Sequence, residues 1–457
     1  MRPELIAIGV LALIFILATA RSVNLGALGF VSAFLVGALA LDMSNAEIVA
    51  GFPGDIFIIL VSLTYLFGIA QVNGTLDLLV NWCTALVRGR VAAVPWIFFG
   101  IAAILMSIGA LFSVAIVAPL AMSYAYKNNI RPLMMGMMVV HGALGGAFSP
   151  ISVYGSFVNG VVAGTDLPSS PLTLFLMPLI INAVIALAVY FTLGGRELLA
   201  RGIDSAARQD RFGPTDNNGT SAALLGASEV RKPGSNRVDS GGSTAIKVDV
   251  EAATTQPPTV RREHIVTLIG LATLAIGVVG FGLDIGFLAL TISTVLIFLW
   301  PKETANALSK VSWSTVFLIC GVMTYVAVLE AAGTIDYAGS LIAGIGIRLL
   351  AALLLCYLGG IVSAFASSIA ILGVSIPLAV PFLEQGHVSA IGMIVALAVS
   401  STVVDVSPFS TNGALVLANA AEDQRPALYR QMLVYSGMVV LVGPPLAWLF
   451  MVVPGWF

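Results

Sequence analysis

The sequence is poor in charged residues, cysteine and histidine, and each shortage excludes a class of function. Only 10% of its 457 residues are charged and 58% are hydrophobic, which is more apolar surface than a water-soluble domain can cover. The net charge of −2 gives no basic excess for a nucleic-acid partner. The few cysteines and histidines have no metal-binding or redox spacing (Cys83, Cys320, Cys356, His141, His264 and His387). We therefore predict an integral membrane protein with no resident metal centre.

A seven-residue phrase occurs twice, each time inside a long apolar segment. Residues 149–155 and residues 407–413, which lie 258 positions later, both read S-P-x-S-x-x-G. Proline lacks an N–H and clashes with the preceding turn, so each phrase should interrupt a membrane helix. Interrupted backbone at that depth is tolerated only where it packs inside protein or lines a wet cavity. Two interrupted helices at matching places in two halves indicate a transport site.

Apolar runs of membrane-spanning length predict ten spans in two sets of five. They lie at about 4–20, 25–41, 55–72, 132–164 and 172–194, and at 264–282, 284–300, 314–331, 389–421 and 432–451. The segments that hold the two phrases are the predicted broken helices. Two further apolar runs, 93–126 and 349–382, have small residues at their centres, and we predict that both are re-entrant hairpins.

Matching stretches at offsets of 258 to 260 indicate an internal repeat (57–65 with 317–325, 74–77 with 333–336, and 119–121 with 377–379). Five spans per half is an odd number, so the second copy should be inverted in the membrane. The predicted fold is all-α and membrane-integral, with two inverted repeats of five transmembrane helices, each with a re-entrant hairpin and one broken helix. We assign residues 1–195 to the first repeat, 196–262 to a disordered cytoplasmic loop, and 263–457 to the second repeat.

Basic residues are concentrated on one face of the predicted bundle. Outside the central loop, nine lie on the face that carries the loop and two on the other (Arg21, Arg88, Arg90, Lys127, Arg131, Lys302, Lys310, Arg425 and Arg430 against Arg2 and Arg348). The positive-inside rule then places the loop in the cytoplasm and both termini outside. The loop is rich in small polar residues and poor in aromatic ones, so we expect it to be disordered. The predicted location is the cell inner (plasma) membrane, in multi-pass form.

Polar residues at mid-membrane depth are the candidate ligands for a solute, and they fall at the two hairpin tips and the two breaks. We predict that one set binds substrate (Ser152, Tyr154, Ser367, Ser368, Ser410, Thr411 and Asn412) and another binds a cation (Ser107, Gly109, Ser149, Ser407 and Asp405). Hydroxyl, amide and freed carbonyl oxygens suit a hard monovalent cation, and helix N-termini suit a carboxylate. For a lone serine, close helix packing is the competing explanation.

Two ionisable residues have open alternatives. Asp405 precedes the second phrase, where it would ligate a cation, carry a proton, or cap the half-helix that follows. His141 would titrate or gate, or would pack as a hydrogen-bonded neutral side chain. The predicted spans contain no basic residues, so a bound anion has to be balanced by helix ends and co-bound cations.

The order of three spans, hairpin, broken helix and final span, given twice, resembles the ion transporter superfamily and its divalent-anion/sodium symporters. The segment Gly145-Gly146-Ala147-Phe148-Ser149-Pro150, with the region before it, resembles the MatC-type dicarboxylate (malonate) carriers. The symporters carry Ser-Asn-Thr at each hairpin tip and Thr-Pro-Pro-Asn at each break. Here Gly109-Ala110-Leu111 and Ser367-Ser368-Ile369 stand at the tips, and the two S-P-x-S phrases stand at the breaks.

The resemblance implies a homodimer that imports a small dicarboxylate, malonate in particular, together with sodium. It implies an elevator movement of hairpins and broken helices against a scaffold of leading spans, with co-transported sodium and no organic cofactor. A proton-coupled carrier of another small organic or inorganic anion is the alternative on the same fold. A membrane-embedded enzyme would need a nucleophile–base pair or metal ligands at one depth, and the sequence offers no such set. A channel fits paired hairpins and inverted repeats less well than alternating access does.

Overall fold

The computed structural model describes residues 3–21, 23–85, 91–200, 260–334, 337, 348–364, 368–384 and 388–455. Most of the predicted central loop (201–259) and the predicted ligand Ser367 lie outside these residues. The described residues are helical and contain no strand. The principal helices of the first half are α1 (Pro3–Arg21), α2 (Leu25–Ala40), α3 (Asn45–Ala50), α4 (Gly54–Val72), α5 (Thr75–Ala85), α6 (Val94–Ser107), α7 (Ser113–Lys127), α8 (Pro132–Gly146), α9 (Val153–Ala163) and α10 (Pro171–Thr192). Those of the second half are α11 (Arg262–Phe281), α12 (Ile285–Leu299), α13 (Trp313–Ala331), α14 (Arg348–Ser363), α15 (Ser368–Glu384), α16 (Ala390–Val403), α17 (Thr411–Ala418) and α18 (Arg425–Met451).

The helices coincide with the predicted spans, and the described parts of both halves belong to one compact unit. Five of the described helices are long and apolar enough to cross a membrane by length and composition (α4, α10, α11, α13 and α18). Other apolar helices are shorter: these are the leading helices α1, α2 and α12, most pieces of the two broken spans, and most arms of the two hairpins. The chain is therefore a multi-pass membrane protein; the inversion of its second half and the sidedness of its termini stay predictions.

Both breaks occur where the repeated phrase predicts them. Helix α8 ends at Gly146 and α9 begins at Val153, and likewise α16 ends at Val403 and α17 begins at Thr411. The two hairpins appear as helix pairs. Helices α6 and α7 are joined by residues 108–112, whereas residues 365–367, between α14 and α15, lie outside the described part.

Each hairpin packs against the broken helix of its own half. Helix α6 packs on α8, which also carries α10. In the second half α14 packs on α16, which also carries α18. Hairpin, broken helix and final helix thus form a packed group in each half, and α10 contacts α16 to join the two groups.

The leading helices pack across the two halves rather than within one half. Helix α2 of the first half packs on α13 of the second, and α12 of the second half packs on α4 of the first. Glycine allows the closest of these contacts. A Cβ atom added at Gly26 would lie 1.9 Å from the carbonyl oxygen of Phe317, and one added at Gly321 would lie 1.9 Å from the carbonyl oxygen of Gly26. No side chain fits between these two backbones, so the contact requires glycine on both helices.

Two short helices, α3 and α5, were not anticipated from the hydrophobic runs. Helix α3 begins with a capping box, in which the Ser44 hydroxyl accepts from the Glu47 N–H and the Glu47 carboxylate accepts from the Ser44 N–H at 2.7 Å. The Ser44 N–H and the Ser44 hydroxyl both donate to the Glu47 carboxylate, and these two hydrogen bonds hold the pKa of that carboxyl below its usual value. The capping box explains why so short a segment is helical.

Candidate functional site

The two breaks have the same backbone and the same hydrogen bonds. Ser152 is the N-cap of α9, and its hydroxyl donates to the carbonyl oxygens of Ala147 and Ser149 and accepts from the Gly155 N–H. Ser410 is the N-cap of α17, with φ and ψ of −82° and 162° against −86° and 161° at Ser152. Its hydroxyl makes the corresponding bonds to Asp405, Ser407 and Gly413. The second serine of each phrase therefore closes the break.

The other members of the phrase have equally local roles. The first serine of each copy accepts from the N–H two residues later, at 3.4 Å for Ser149 and 3.2 Å for Ser407. The final glycine lies against the carbonyl of that first serine. A Cβ atom would lie 2.0 Å from it at Gly155 and 1.9 Å from it at Gly413. Serine, proline and glycine at this spacing thus explain the shape of both breaks.

The two breaks differ in the side chains that they present. Ala147 of the first break corresponds to Asp405 of the second, and Tyr154 corresponds to Asn412. Asp405 is 5% exposed, and its carboxylate accepts hydrogen bonds from the backbone and the side-chain amide of Asn412, the latter at 2.9 Å. The second break therefore holds a buried carboxylate, and the first break holds a buried phenol at the corresponding part of its phrase, that of Tyr154.

The second hairpin meets its break through hydroxyl groups. Ser363, at the end of α14, donates to the Ser401 carbonyl oxygen and lies 2.9 Å from the Ser368 hydroxyl. The hydroxyl of Ser401 itself is fully buried and has no partner among the described residues. Ser401 lies in the last turn of α16, which ends at Val403, and Asp405 follows in the break.

The first hairpin tip is apolar by comparison. Gly109 has a positive φ of 102°, and a Cβ atom there would lie 2.0 Å from the ring of Phe67 on α4. Ser107 lies beside Gly146, the last residue of α8. The first tip thus reaches both the first break and a leading helix, and its contact with the leading helix is made by glycine and phenylalanine.

The predicted site residues fall into groups in the structure. Ser149, Ser152 and Tyr154 are buried at the first break, and Ser407, Asp405 and Ser410 are buried at the second. Ser368 lies at the second tip, while Thr411 is exposed and Asn412 half-buried at the start of α17. Ligand contact by any of them stays a prediction. Sequence reasoning missed Ser363 and Ser401; the one-turn spacing of Ser401 from Asp405 was the available signal.

His141 belongs to a hydrogen-bond network that joins three helices, in which His141 and Asn182 are fully buried and Tyr435 is half-buried. Its Nδ1 lies 2.8 Å from Asn182 Oδ1 on α10, and its Nε2 lies 2.6 Å from the Tyr435 hydroxyl on α18. The amide of Asn182 donates to the Pro178 carbonyl at 2.9 Å, so Oδ1 is left as the acceptor for Nδ1–H. Nε2 then accepts from the Tyr435 hydroxyl. This geometry fits the packing alternative for a neutral His141, and Asn182 and Tyr435 were not anticipated.

The oxygen atoms at the second break and second tip are hydroxyls, carbonyls and one carboxylate. Among the described residues, no cluster of three or more His, Cys, Asp or Glu side chains is placed to hold a metal ion. The donors present fit a weakly bound monovalent cation rather than a tightly held transition metal.

Comparisons with known proteins bear on the fold and on the first third of the chain. Residues 1–147 match the family model described as the dicarboxylate carrier protein MatC N-terminus. The structure resembles the crystal structure of the Alcanivorax borkumensis YdaH transporter, which was reported to have an unusual topology. The TM-score is 0.56 and the sequence identity 15%, over 100% of this chain and 99% of that one. A comparison with curated protein sequences found no match.

The apolar helices and these comparisons together support a multi-pass membrane transporter. The family match covers the first 147 residues, about a third of the chain.

Proposed function

We propose that this protein is a secondary transporter that imports a small dicarboxylate, malonate in the first instance, together with sodium. The observation that carries the proposal is the pair of matched breaks, one of which holds the buried carboxylate of Asp405. Helices α9 and α17 both begin at a break, so their positive dipole ends are directed there and suit one carboxylate each. A dicarboxylate has the two charges that such a paired site requires.

Sodium would neutralise the excess negative charge. The second break and second tip offer oxygen atoms of Ser363, Ser401 and Ser407, and the Ser401 hydroxyl lacks a partner among the described residues. A hard monovalent cation takes such ligands. We further propose that each hairpin, broken helix and final helix moves as a group against the leading helices. The protein would act as a homodimer in the inner membrane, with the loop in the cytoplasm.

A proton-coupled carrier of another small anion is the second candidate, and Asp405 favours it because no basic side chain among the described residues forms an ion pair with it. Uptake by purified protein in liposomes distinguishes the two. Labelled malonate, succinate and citrate would be offered at fixed pH, with and without an inward sodium gradient. We expect malonate uptake that requires sodium. Uptake that ignores sodium but follows a proton gradient would replace the first candidate with the second.

A further inference from the structure

An apolar cavity lies between α1 and the two arms of the second hairpin. Its volume is about 370 Å³, and its walls are formed by side chains of α1, α14 and α15 (among them Ile8, Ala12, Phe15, Leu358, Val362 and Leu378). The wall residues Ile16 and Leu358 are 63% and 53% exposed. The cavity therefore opens on the outer surface of the helix bundle, which in a membrane protein faces hydrocarbon.

One side chain in this cavity is polar and has nothing to bond with. Ser375 of α15 is 8% exposed, lines the cavity, and has no hydrogen-bond partner among the described residues. Several other buried hydroxyls in the middle of helices donate to the carbonyl four residues earlier, as Thr64, Ser293 and Thr324 do at 2.7 to 2.8 Å. Ser375 makes no such bond, so its hydroxyl is available to an acceptor in the cavity.

Water is a poor occupant of this space. A buried water needs two to four polar partners, and the wall residues offer the Ser375 side chain alone as a polar group. A saturated hydrocarbon chain fits the apolar wall, but it offers no acceptor to Ser375. An acyl chain with its ester carbonyl satisfies both requirements.

Two charged residues lie at the membrane-boundary ends of the same helix faces. Glu4 precedes Ile8 by one turn of α1, and its Oε2 is buried with no partner among the described residues. Arg348 begins α14, is exposed, and lies two turns before the wall residue Leu355. A carboxylate and a guanidinium complement the ammonium and the phosphate of a zwitterionic head group.

We propose that this cavity binds one zwitterionic phospholipid that bears an ammonium head group, of the phosphatidylethanolamine type. One acyl chain fills the cavity, the Ser375 hydroxyl donates to its ester carbonyl, and the head group lies between Glu4 and Arg348. The bound lipid would separate a leading helix from the second hairpin at the membrane-facing surface.

Native mass spectrometry of the purified full chain tests the proposal without any transport measurement. The protein would be supplied with equal amounts of phosphatidylethanolamine, phosphatidylcholine, phosphatidylglycerol and oleate. We expect one phosphatidylethanolamine to remain bound per chain, with at least about tenfold less of each other species. Retention of no lipid, of oleate instead, or of all lipids equally would overturn it.

Variants localise the bound lipid. Ala12→Phe fills the cavity and should abolish retention, whereas Ala272→Phe, on an exposed face of α11, should leave it unchanged. Ser375→Ala should weaken retention roughly three- to tenfold, the effect of one hydrogen bond. Glu4→Gln should remove the preference for phosphatidylethanolamine over phosphatidylglycerol. If Ala12→Phe is not monodisperse, Ile8→Trp replaces it; unchanged retention in the well-folded cavity variant would place the lipid elsewhere.

Discussion

The two breaks share one backbone conformation but differ in the side chains that surround it. Ser152 and Ser410 close them with the same hydrogen bonds and nearly equal dihedral angles. Only the second break adds a carboxylate, at the position where the first has Ala147. The repeated phrase therefore specifies the shape of a break, while the side chains that the break presents differ between the two halves.

The hairpin tips differ in the same way, because the tip of the second half is the more polar one. The first tip places Gly109 against the ring of Phe67, and the second places Ser368 beside Ser363 and the pre-break segment of α16. At the tips and breaks that the structure describes, the paired hydroxyls and the buried carboxylate of Asp405 thus lie in the second half. Two halves with similar helix order thus differ at their tips, one with a packed apolar contact and the other with hydroxyl groups, and we propose that only the second binds a cation.

The largest effect is expected from Gly155→Ala and Gly413→Ala, which test the shared shape. Either Cβ atom would lie within about 2 Å of a carbonyl oxygen that cannot move without opening the break. We expect a destabilisation of roughly 1–3 kcal/mol or more and loss of malonate uptake in liposomes. Gly100→Ala in α6, where no atom lies within 4 Å of the added Cβ, is the control. An alanine tolerated at only one break would show that the two are not equivalent.

Ser152→Ala and Ser410→Ala sharpen the comparison at the caps. Each removes an N-cap that contributes about 1 kcal/mol, and each disturbs the carbonyls that the hydroxyl holds. If the breaks contact substrate, affinity should fall roughly ten- to hundredfold in both variants, as expected for a lost bond to a charged group. Calorimetric titration with malonate at saturating sodium measures it. Ser62→Ala, buried in α4, should bind as the parent does; equal losses in all three variants would mean a general folding defect.

Asp405→Asn tests the difference between the breaks. Asparagine preserves the size of the side chain and removes its charge, so we expect the sodium concentration for half-maximal uptake to rise about tenfold, the effect of weakening one interaction with a charged group. Glu330→Gln, which removes an exposed carboxylate from α13, is the matched control. If the variant shows the same sodium dependence as the parent, Asp405 does not bind sodium, and its role is to cap α17.

The smallest effect is expected from deleting residues 205–255. This segment joins the two halves and belongs to neither repeat, and its composition predicts disorder. Uptake should stay close to that of the full chain. Loss of uptake in a deletion variant that still reaches the membrane would assign the segment a part in transport.

The breaks were predictable because their cause is local. Every hydrogen bond that shapes them joins residues within one S-P-x-S-x-x-G phrase or its immediate neighbours. The helices were equally predictable, since long apolar runs leave the backbone no other way to satisfy its polar groups in a bilayer. The short helix α3 was missed because a capping box, not hydrophobicity, forms it.

Contacts between distant segments could not be predicted in the same way. His141 and Tyr435 are 294 residues apart, and Ser363 and Ser401 are 38 apart on different helices. Their pairing depends on how α8 packs near α18 and α14 near α16, which periodicity does not determine. Gly109 is a second example of such a distant contact. Its place at a hairpin tip predicts a cation ligand, but in the structure the ring of Phe67, from a distant helix, fills the space beside it.

The glycine contact between α2 and α13 has a consequence for synthesis. Gly26 and Gly321 touch backbone to backbone but are 295 residues apart in the chain. At roughly 5–20 residues per second, a ribosome takes about 15 to 60 s to progress from one to the other. During that interval α2 is in the bilayer without the helix that covers its glycines. The newly made first half is therefore a folding intermediate that lacks its packing partner. Packing of the two halves becomes possible only after α13 has been synthesised.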